Sequence, residues 1–303
     1  MTLSPAREVV EAAGVTGAAA ALSRGEVVLI AGDAGATLVA AAELVTGETV
    51  RFLATRGMPV GCALPGVALD RLRIPAMVPG SAVHVGVSHG GSPARTLRAL
   101  ADPASQRHDF RIPGPVFPTR TQPLGVLTRP GLPEAAADLV RIAGCAPAAA
   151  FVELSAAAEG TGLPVVSVDD VVAYRRTHER LVERAAVARL PLAHGGFRAL
   201  GYRDRVDGGE HVALVRGEPD RDAVVRVHVE CPAGDAFGAR HCGCAQAVRD
   251  SLAEIARAGS GVLVYVRGRR SLWSALREHA GPDARTDHVA DQILRDLGLS
   301  GPG

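Results

Sequence analysis

The stretch "VRVHVECPAGDAFGARHCGC", residues 225–244, holds three of the chain's five cysteines, Cys231, Cys242 and Cys244. The run "AVVRVHVE" (223–230) reads as a strand that leads straight into Cys231. A glycine-containing loop, "PAGDAFGARH", then returns the chain so that the close pair Cys242 and Cys244 can face the first thiol. Thiolate suits Zn²⁺, and three protein ligands plus one water is the pattern of a catalytic zinc site. His228 or His241 joining the three cysteines would instead close a four-ligand structural site. Three reduced, buried thiols with no metal are the third reading.

The 303 residues leave room for two domains, each with its own core. Hydrophobic residues make up 47% and charged residues 21%, a globular composition. A formal net charge of +1 gives no electrostatic ground for a nucleic acid or a membrane surface as partner. Every basic residue other than histidine is arginine. A Schiff-base lysine, a P-loop cation and a lysine general base are therefore all excluded. No apolar run approaches the ~18 residues of a membrane span. "MTLSPAREVVEAAG" lacks the basic and apolar regions of a signal peptide. An odd cysteine count without an export signal fits reduced thiols in the cytoplasm.

The first half alternates short β-rich runs with alanine-rich stretches, which predicts an α/β or α+β domain. "GEVVLIAGD" (25–33), "AVHVGVS" (82–88) and "AAAFVEL" (148–154) read as strands. "ATLVAAAELV" (36–45) reads as a helix, as do "SPARTLRALAD" (92–102), with serine before proline at its start, and "PEAAADLVRIAG" (133–144), which ends on glycine. Residues 165–191 read as a strand, a helix and an exit, with "YRRTHER" a solvated helix face. The junction is placed here, giving domains 1–182 and 183–303. The second half opens with strands in "GGFRALGYRD" and "EHVALVRGE", joined by the hairpin turn "RVDGG". After the cysteines come a helix at 247–261, a buried strand at 261–268 and a last helix at 287–298.

With these segments in place, "RVHVECPAGDAFGARHCGC" resembles the zinc signature of GTP cyclohydrolase II, R-V-H-S-E-C followed by T-G-D-x-F-G-S-x-R-C-D-C. "FRALGYRDRVDGGEHVALVRGE" resembles that family's N-terminal strands. The first half is similar to 3,4-dihydroxy-2-butanone 4-phosphate synthase through "AAELVT" (41–46), "RTLRALADP" (95–103), "DFRIPGPVFPTR" (109–120), "EAAADLVRIAG" (134–144) and "SVDDVVAYRRTHE" (167–179). The order of motifs resembles the bifunctional riboflavin-biosynthesis proteins that fuse the two enzymes. The resemblance implies a synthase-like α/β domain followed by a cyclohydrolase-like α+β domain. It implies an N-terminal lyase acting on ribulose 5-phosphate with Mg²⁺. It implies a C-terminal zinc hydrolase that opens the imidazole ring of GTP, with Cys231, Cys242 and Cys244 as ligands. A homodimer is also inherited from the resemblance.

Residue by residue, the synthase half departs furthest. The family's acidic loop, D-D-E-D-R-E-N-E-G-D-L, is here "AGDAGATL" (31–38), with Asp33 its only acid. The family's G-H-T-E is "GLPE" (131–134), and Leu132 cannot bind Mg²⁺. Arg129, Glu134 and Glu153 remain on matching positions as a vestigial site; solvated or capping carboxylates are the alternative reading of Glu134 and Glu153. The missing ligands argue against Mg²⁺ and against synthase activity.

The cyclohydrolase half is mixed. Arg226, His228 and Glu230 match the nucleotide-contacting strand. "DAR" matches a D-x-R motif that implies catalytic roles for Asp283 and Arg285; a charge pair leading a helix is the simpler reading of the same residues. The family's Y-L-R-Q-E-G-R-G-I-G-L has become "YVRGRRSL" (265–272), shorter and without its glutamate, though Arg269 can still attract a phosphate. The guanine-contacting glutamine position is Ala247, with Gln246 one place early. The family's T-N-N-P-x-K phosphate clamp has no counterpart in the sequence. A lost purine-edge hydrogen bond discriminates by ~10⁴-fold, so weak or absent GTP turnover is expected. The alternative is a zinc-stabilised scaffold that binds a metabolite or regulates without catalysis.

Overall fold

Alternation along two neighbouring strands separates the core of the first unit into two layers. Leu29, Leu38 and Ala40 pack into one hydrophobic cluster, and Val28, Ile30, Val39 and Ala41 into another. Successive side chains on a strand face opposite sides of a sheet, so these residues put apolar surface on both. The computed structural model describes residues 14–33, 35–154, 162–268, 272–277 and 283–299. The chain divides into two compact units, Met1–His178 and Glu179–Gly303.

The first unit is built on β1 (Val28–Gly32), β2 (Gly35–Ala41), β3 (Val60–Pro65), β4 (Val87–Ser88), β5 (Arg111–Thr121), β6 (Ala149–Leu154) and β7 (Val165–Ser167), in the sheet order β4-β5-β3-β6-β2-β1-β7. Helices α2 (Gly47–Ala54), α3 (Gly66–Leu72) and α4 (Pro93–Ala101) supply the first cluster. Helices α1 (Gly14–Ser23), α5 (Leu132–Ile142) and α6 (Val168–His178) supply the second. The result is a three-layer α/β unit.

Three expectations for this unit are corrected. Residues 36–41 are strand, not helix. Alanine favours helices, but β2 is hydrogen-bonded to β1 on one side and β6 on the other, and tertiary pairing overrides propensity. Of 82–88, only Val87–Ser88 is strand; Val83 and His84 make isolated bridges. "YRRTHER" is not wholly solvated. Arg175 is buried at 5% exposure and donates to Asp138 at 2.7 Å and to the Leu124 carbonyl at 2.6 Å.

The second unit carries β8 (Val182–Leu192), β9 (Gly195–Asp204), β10 (Glu210–Arg216), β11 (Val224–Val229) and β12 (Gly261–Val266), ordered β11-β12-β10-β9-β8. Among the described residues four helices accompany them: α7 (Pro232–Asp235), α8 (Cys244–Ala258), α9 (Leu272–Arg277) and α10 (Ala284–Asp296). The exit expected before residue 191 is the strand β8. Residues 183–191 are all exposed, so no inside–outside alternation marks them in the sequence; pairing with β9 defines the strand. The β9–β10 turn closes where "RVDGG" predicts, with the Asp204 N–H donating to the Gly209 carbonyl at 2.8 Å. Helix α8 starts at Cys244, three residues earlier than expected, which places that thiol in its first turn. Among the described residues, no helix is long and apolar enough to cross a membrane.

Candidate active site

Strand β11 lies parallel to β12 and ends at Val229, two residues before Cys231. Pro232 then starts the short helix α7, the chain turns back through residues 236–243, and α8 begins at Cys244. The three Sγ atoms lie within 4.8 Å of one another, with Cys231 and Cys242 3.8 Å apart. Tetrahedral zinc with bonds of ~2.3 Å to sulfur spaces two sulfurs by about 3.8 Å, so the donor set fits the metal. Cys231 and Cys244 are 2% and 7% exposed. Burial pushes the Cys244 thiol up to about 12, while the hydrogen bond from the Cys244 backbone draws the Cys242 thiol below its ordinary value.

Gly234 is the residue that lets the sulfurs converge. A Cβ there would lie 2.8 Å from both the Cys242 Sγ and the Cys244 Cβ. Among the described residues, no histidine joins the three thiols. The His228 ring is engaged elsewhere: its Nε2 lies 3.0 Å from each oxygen of Asp235. His241 is exposed.

Asp235 is the hub that the sequence reading missed. Its carboxylate accepts from His228, from the Cys231 N–H at 2.8 Å and from the Tyr265 hydroxyl at 2.7 Å. Tyr265 sits opposite His228 in the parallel register, and the two rings stack at 5.4 Å. Burial, then Asp235, pushes the Tyr265 hydroxyl well above its ordinary value. Both residues stand in motifs already quoted: Asp235 is the aspartate of G-D-x-F-G, and Tyr265 opens "YVRGRRSL".

The other expected residues scatter around this core. Glu230 accepts from the Gly268 N–H at 3.2 Å and pairs with Arg267 at 3.6 Å, fixing the chain as it leaves β12. Arg226 is in a two-pronged ion pair with Glu254 of α8. Asp283 caps α10, accepting from the Arg285 and Thr286 N–H groups, and the Thr286 bond holds its carboxyl below the ordinary range. Arg285 is clamped by Asp207 at 2.5 Å and Asp204 at 3.4 Å. It lines a cavity of about 370 Å³ with Asp207, Glu210, Arg267 and three glycines. Beside it, His211 is 1% exposed and accepts from the Arg267 N–H at 3.1 Å. Burial, then Arg285, lowers its pKa to about 4. Arg269 lies outside the described residues.

In the first unit, Asp33 and Glu153 line one cavity of about 610 Å³ with Leu132, Ser167 and Asp169. Pairing of β1 with β2 runs to Gly32 opposite Gly35, so only two residues separate the strands at the position matching the family's acidic loop. Glu134 is neither solvated nor a helix cap. It is 0% exposed, and one oxygen accepts from the Arg129 Nε at 3.0 Å. Its other oxygen has no hydrogen-bond partner and lies against Gly131 of the cavity wall.

A seven-stranded synthase-type unit followed by a three-thiol unit defines a class of two-enzyme fusions. Residues 16–183 match the family model of 3,4-dihydroxy-2-butanone 4-phosphate synthase, and residues 183–301 match that of GTP cyclohydrolase II. The chain belongs to the riboflavin biosynthesis RibBA family. It is 39% identical to RibBA of Mycobacterium marinum, over 86% of this chain and 75% of that protein. It is also 39% identical to RibBA of Mycobacterium tuberculosis, over 88% of this chain and 71% of the relative. Among solved structures it is similar to RibBX, a two-domain 3,4-dihydroxy-2-butanone 4-phosphate synthase from A. baumannii. That match has a TM-score of 0.71 and 28% identity, and covers 94% of this chain and 91% of the other. A synthase in complex with two magnesium ions matches at TM-score 0.50 and 26% identity, covering 55% of this chain and 97% of that one.

Proposed function

We propose that residues 183–303 hold Zn²⁺ on Cys231, Cys242 and Cys244 and hydrolytically open the imidazole ring of GTP or a related purine nucleotide. The observation that carries this reading is the converged set of three sulfurs with no fourth protein ligand among the described residues. Bound zinc would supply Lewis-acid polarisation and a water acidified to a pKa of ~7. The chain's own groups handle orientation and protons. Because Asp235 accepts from His228 Nε2, the ring keeps Nδ1 as its acceptor atom, suited to take a proton. The Tyr265 hydroxyl and the Cys231 N–H hold Asp235 in place for that task. Arg226, Glu230 and Arg269 are assigned to the nucleotide, and Asp283 and Arg285 to catalysis.

Residues 1–182 are proposed to be inactive as a synthase and to lack a Mg²⁺ site. A two-residue connection between β1 and β2 supports this, as does Leu132 in the cavity wall where the family has a histidine. A second reading, a zinc-stabilised scaffold without turnover, draws support from Asp283 and Arg285, whose side chains are already spent on a helix cap and an internal ion pair.

The deciding assay measures bound zinc, then formate and the ring-opened pyrimidine product from GTP, with Cys242→Ala as control. Zinc-dependent formate release supports the hydrolase. Stoichiometric zinc with no formate supports the scaffold.

A further inference from the structure

Three strands of the first unit run in one direction. β7 lies parallel to β1, and β6 shares that direction because β1 and β6 are each antiparallel to β2. Their carboxyl ends meet the cavity of about 610 Å³ through Asp33 after β1, Glu153 near the end of β6 and Asp169 after β7. Open α/β sheets bind ligands at that end. All three carboxylates are exposed, and the same cavity is lined by the apolar side chains of Leu132 and Val168. Among the described residues no arginine or histidine lines it, and the chain has no lysine. Arg129, close by, is committed to Glu134. The first turns of α5 and α6 reach the cavity too, and acids of the chain itself, Glu134, Asp169 and Asp170, answer their positive ends. The cavity is therefore anionic, and a phosphate group would meet repulsion there.

A buried oxygen points to a ligand independently of that charge. Glu134 is 0% exposed, and its Oε2 has no hydrogen-bond partner. The oxygen lies 2.7 Å from the place a Cβ on Gly131 would occupy, so no side chain at Gly131 covers it from the cavity. An unpaired buried acceptor costs free energy that a donor on a ligand recovers. A bare metal ion is a poor match. Among the described residues only the three cysteines bring a set of metal-type donor atoms together, so no three carboxylates of the cavity converge. Carboxylates spread around apolar side chains suit a chain of methylenes that carries ammonium groups at intervals. We propose that this cavity binds an aliphatic polyamine, with its ammonium groups on Asp33, Glu153 and Asp169 and its methylenes on Leu132 and Val168. An N–H entering beside Gly131 donates to Glu134 Oε2. The proposal rests on the reading that residues 1–182 hold no Mg²⁺ site. It goes further, because it assigns the cavity a ligand opposite in charge to a sugar phosphate.

Calorimetric titration of the full-length protein with spermidine and with butylamine tests this. Spermidine should bind at least about tenfold more tightly than butylamine, which carries a single ammonium group. Added salt should weaken the binding, because exposed carboxylates are screened. Glu153→Gln and Asp169→Asn should each weaken spermidine binding about threefold, and the two together about tenfold. Both side chains are exposed, so the thermal melts of these variants should match the wild type. Absence of spermidine binding, equal affinity for butylamine, unchanged affinity in the double variant, or displacement of spermidine by equimolar Mg²⁺ would overturn the polyamine site. Consumption of ribulose 5-phosphate with Mg²⁺ present sinks the reading of an inactive synthase unit, and the polyamine site with it. No consumption together with no spermidine binding sinks the polyamine site alone.

Discussion

Cys231 and Asp235 are bound to each other twice: the Cys231 N–H donates to the Asp235 carboxylate at 2.8 Å, and the Asp235 N–H donates to the Cys231 carbonyl at 2.7 Å. The carboxylate therefore fixes the backbone that carries the first thiol, and it holds His228 and Tyr265 as well. Asp235→Asn removes the charge and one of the acceptors. We expect zinc affinity to fall about 10- to 100-fold, as for other residues that orient metal ligands. Competition against a chromophoric chelator measures this, and unchanged affinity would remove Asp235 from the site.

Gly234→Ala inserts a methyl 2.8 Å from the Cys242 sulfur and from the Cys244 Cβ. Neither atom is the free end of a flexible chain, so the loop must shift. We expect loss of stoichiometric zinc and a stability cost of about 1–3 kcal/mol, the usual range for overpacking. Metal analysis and thermal melting read both effects. Full zinc occupancy with an unchanged melt would contradict the packing account.

Arg175 and Asp138 form a buried ion pair in the first unit, with side chains 6% and 9% exposed. Asp138 also accepts from the Val126 N–H at 2.8 Å. Arg175→Ala leaves that buried carboxylate with only the longer pair to the half-exposed Arg141, at 3.8 Å, so the loss should approach the lower end of the roughly 3–5 kcal/mol cost of breaking a buried pair. Urea unfolding should show the loss, and removing both partners together should recover part of it. A single variant as stable as the wild type would show that the pair contributes nothing.

His211 titrates at about 4 when folded, against an ordinary 6.5, because burial and the Arg285 cation oppose its charging. Arg267 adds to this, and Asp207 works against it. A depressed pKa means the unfolded chain binds the proton more readily. The contribution of His211 is therefore intact above pH 6.5 and falls as pH drops toward 4, by at most about 3 kcal/mol. Comparing unfolding of the wild type with His211→Gln between pH 7 and 4.5 isolates the effect, since the thiols are common to both. Parallel curves would rule it out.

Leu132→His places an imidazole where the synthase resemblance has its histidine, while β1 and β2 still pair right up to Gly32 and Gly35. Oxygen ligands are what a hard divalent cation needs. We expect this variant to leave ribulose 5-phosphate unconsumed with Mg²⁺ present. Measurable consumption would show that the short connection is no obstacle.

The sequence alone determined the two-enzyme family, the three cysteines that converge and most of the strands of the second unit. Those depend on local spacing and on apolar runs, which the chain carries in one dimension. It misassigned residues 36–41 and passed over β8, because alanine-rich and uniformly exposed strands take their identity from hydrogen bonds to neighbours distant in sequence. Side-chain partnerships were decided only in three dimensions. Asp283 became a helix cap, Arg285 an internal ion pair, Arg175 a buried cation, and Asp235 the centre that joins a cysteine backbone, a histidine and a tyrosine. A charged side chain's role depends on which opposite charge or hydrogen-bond donor the fold brings within about 3 Å of it, and no sequence spacing states that distance.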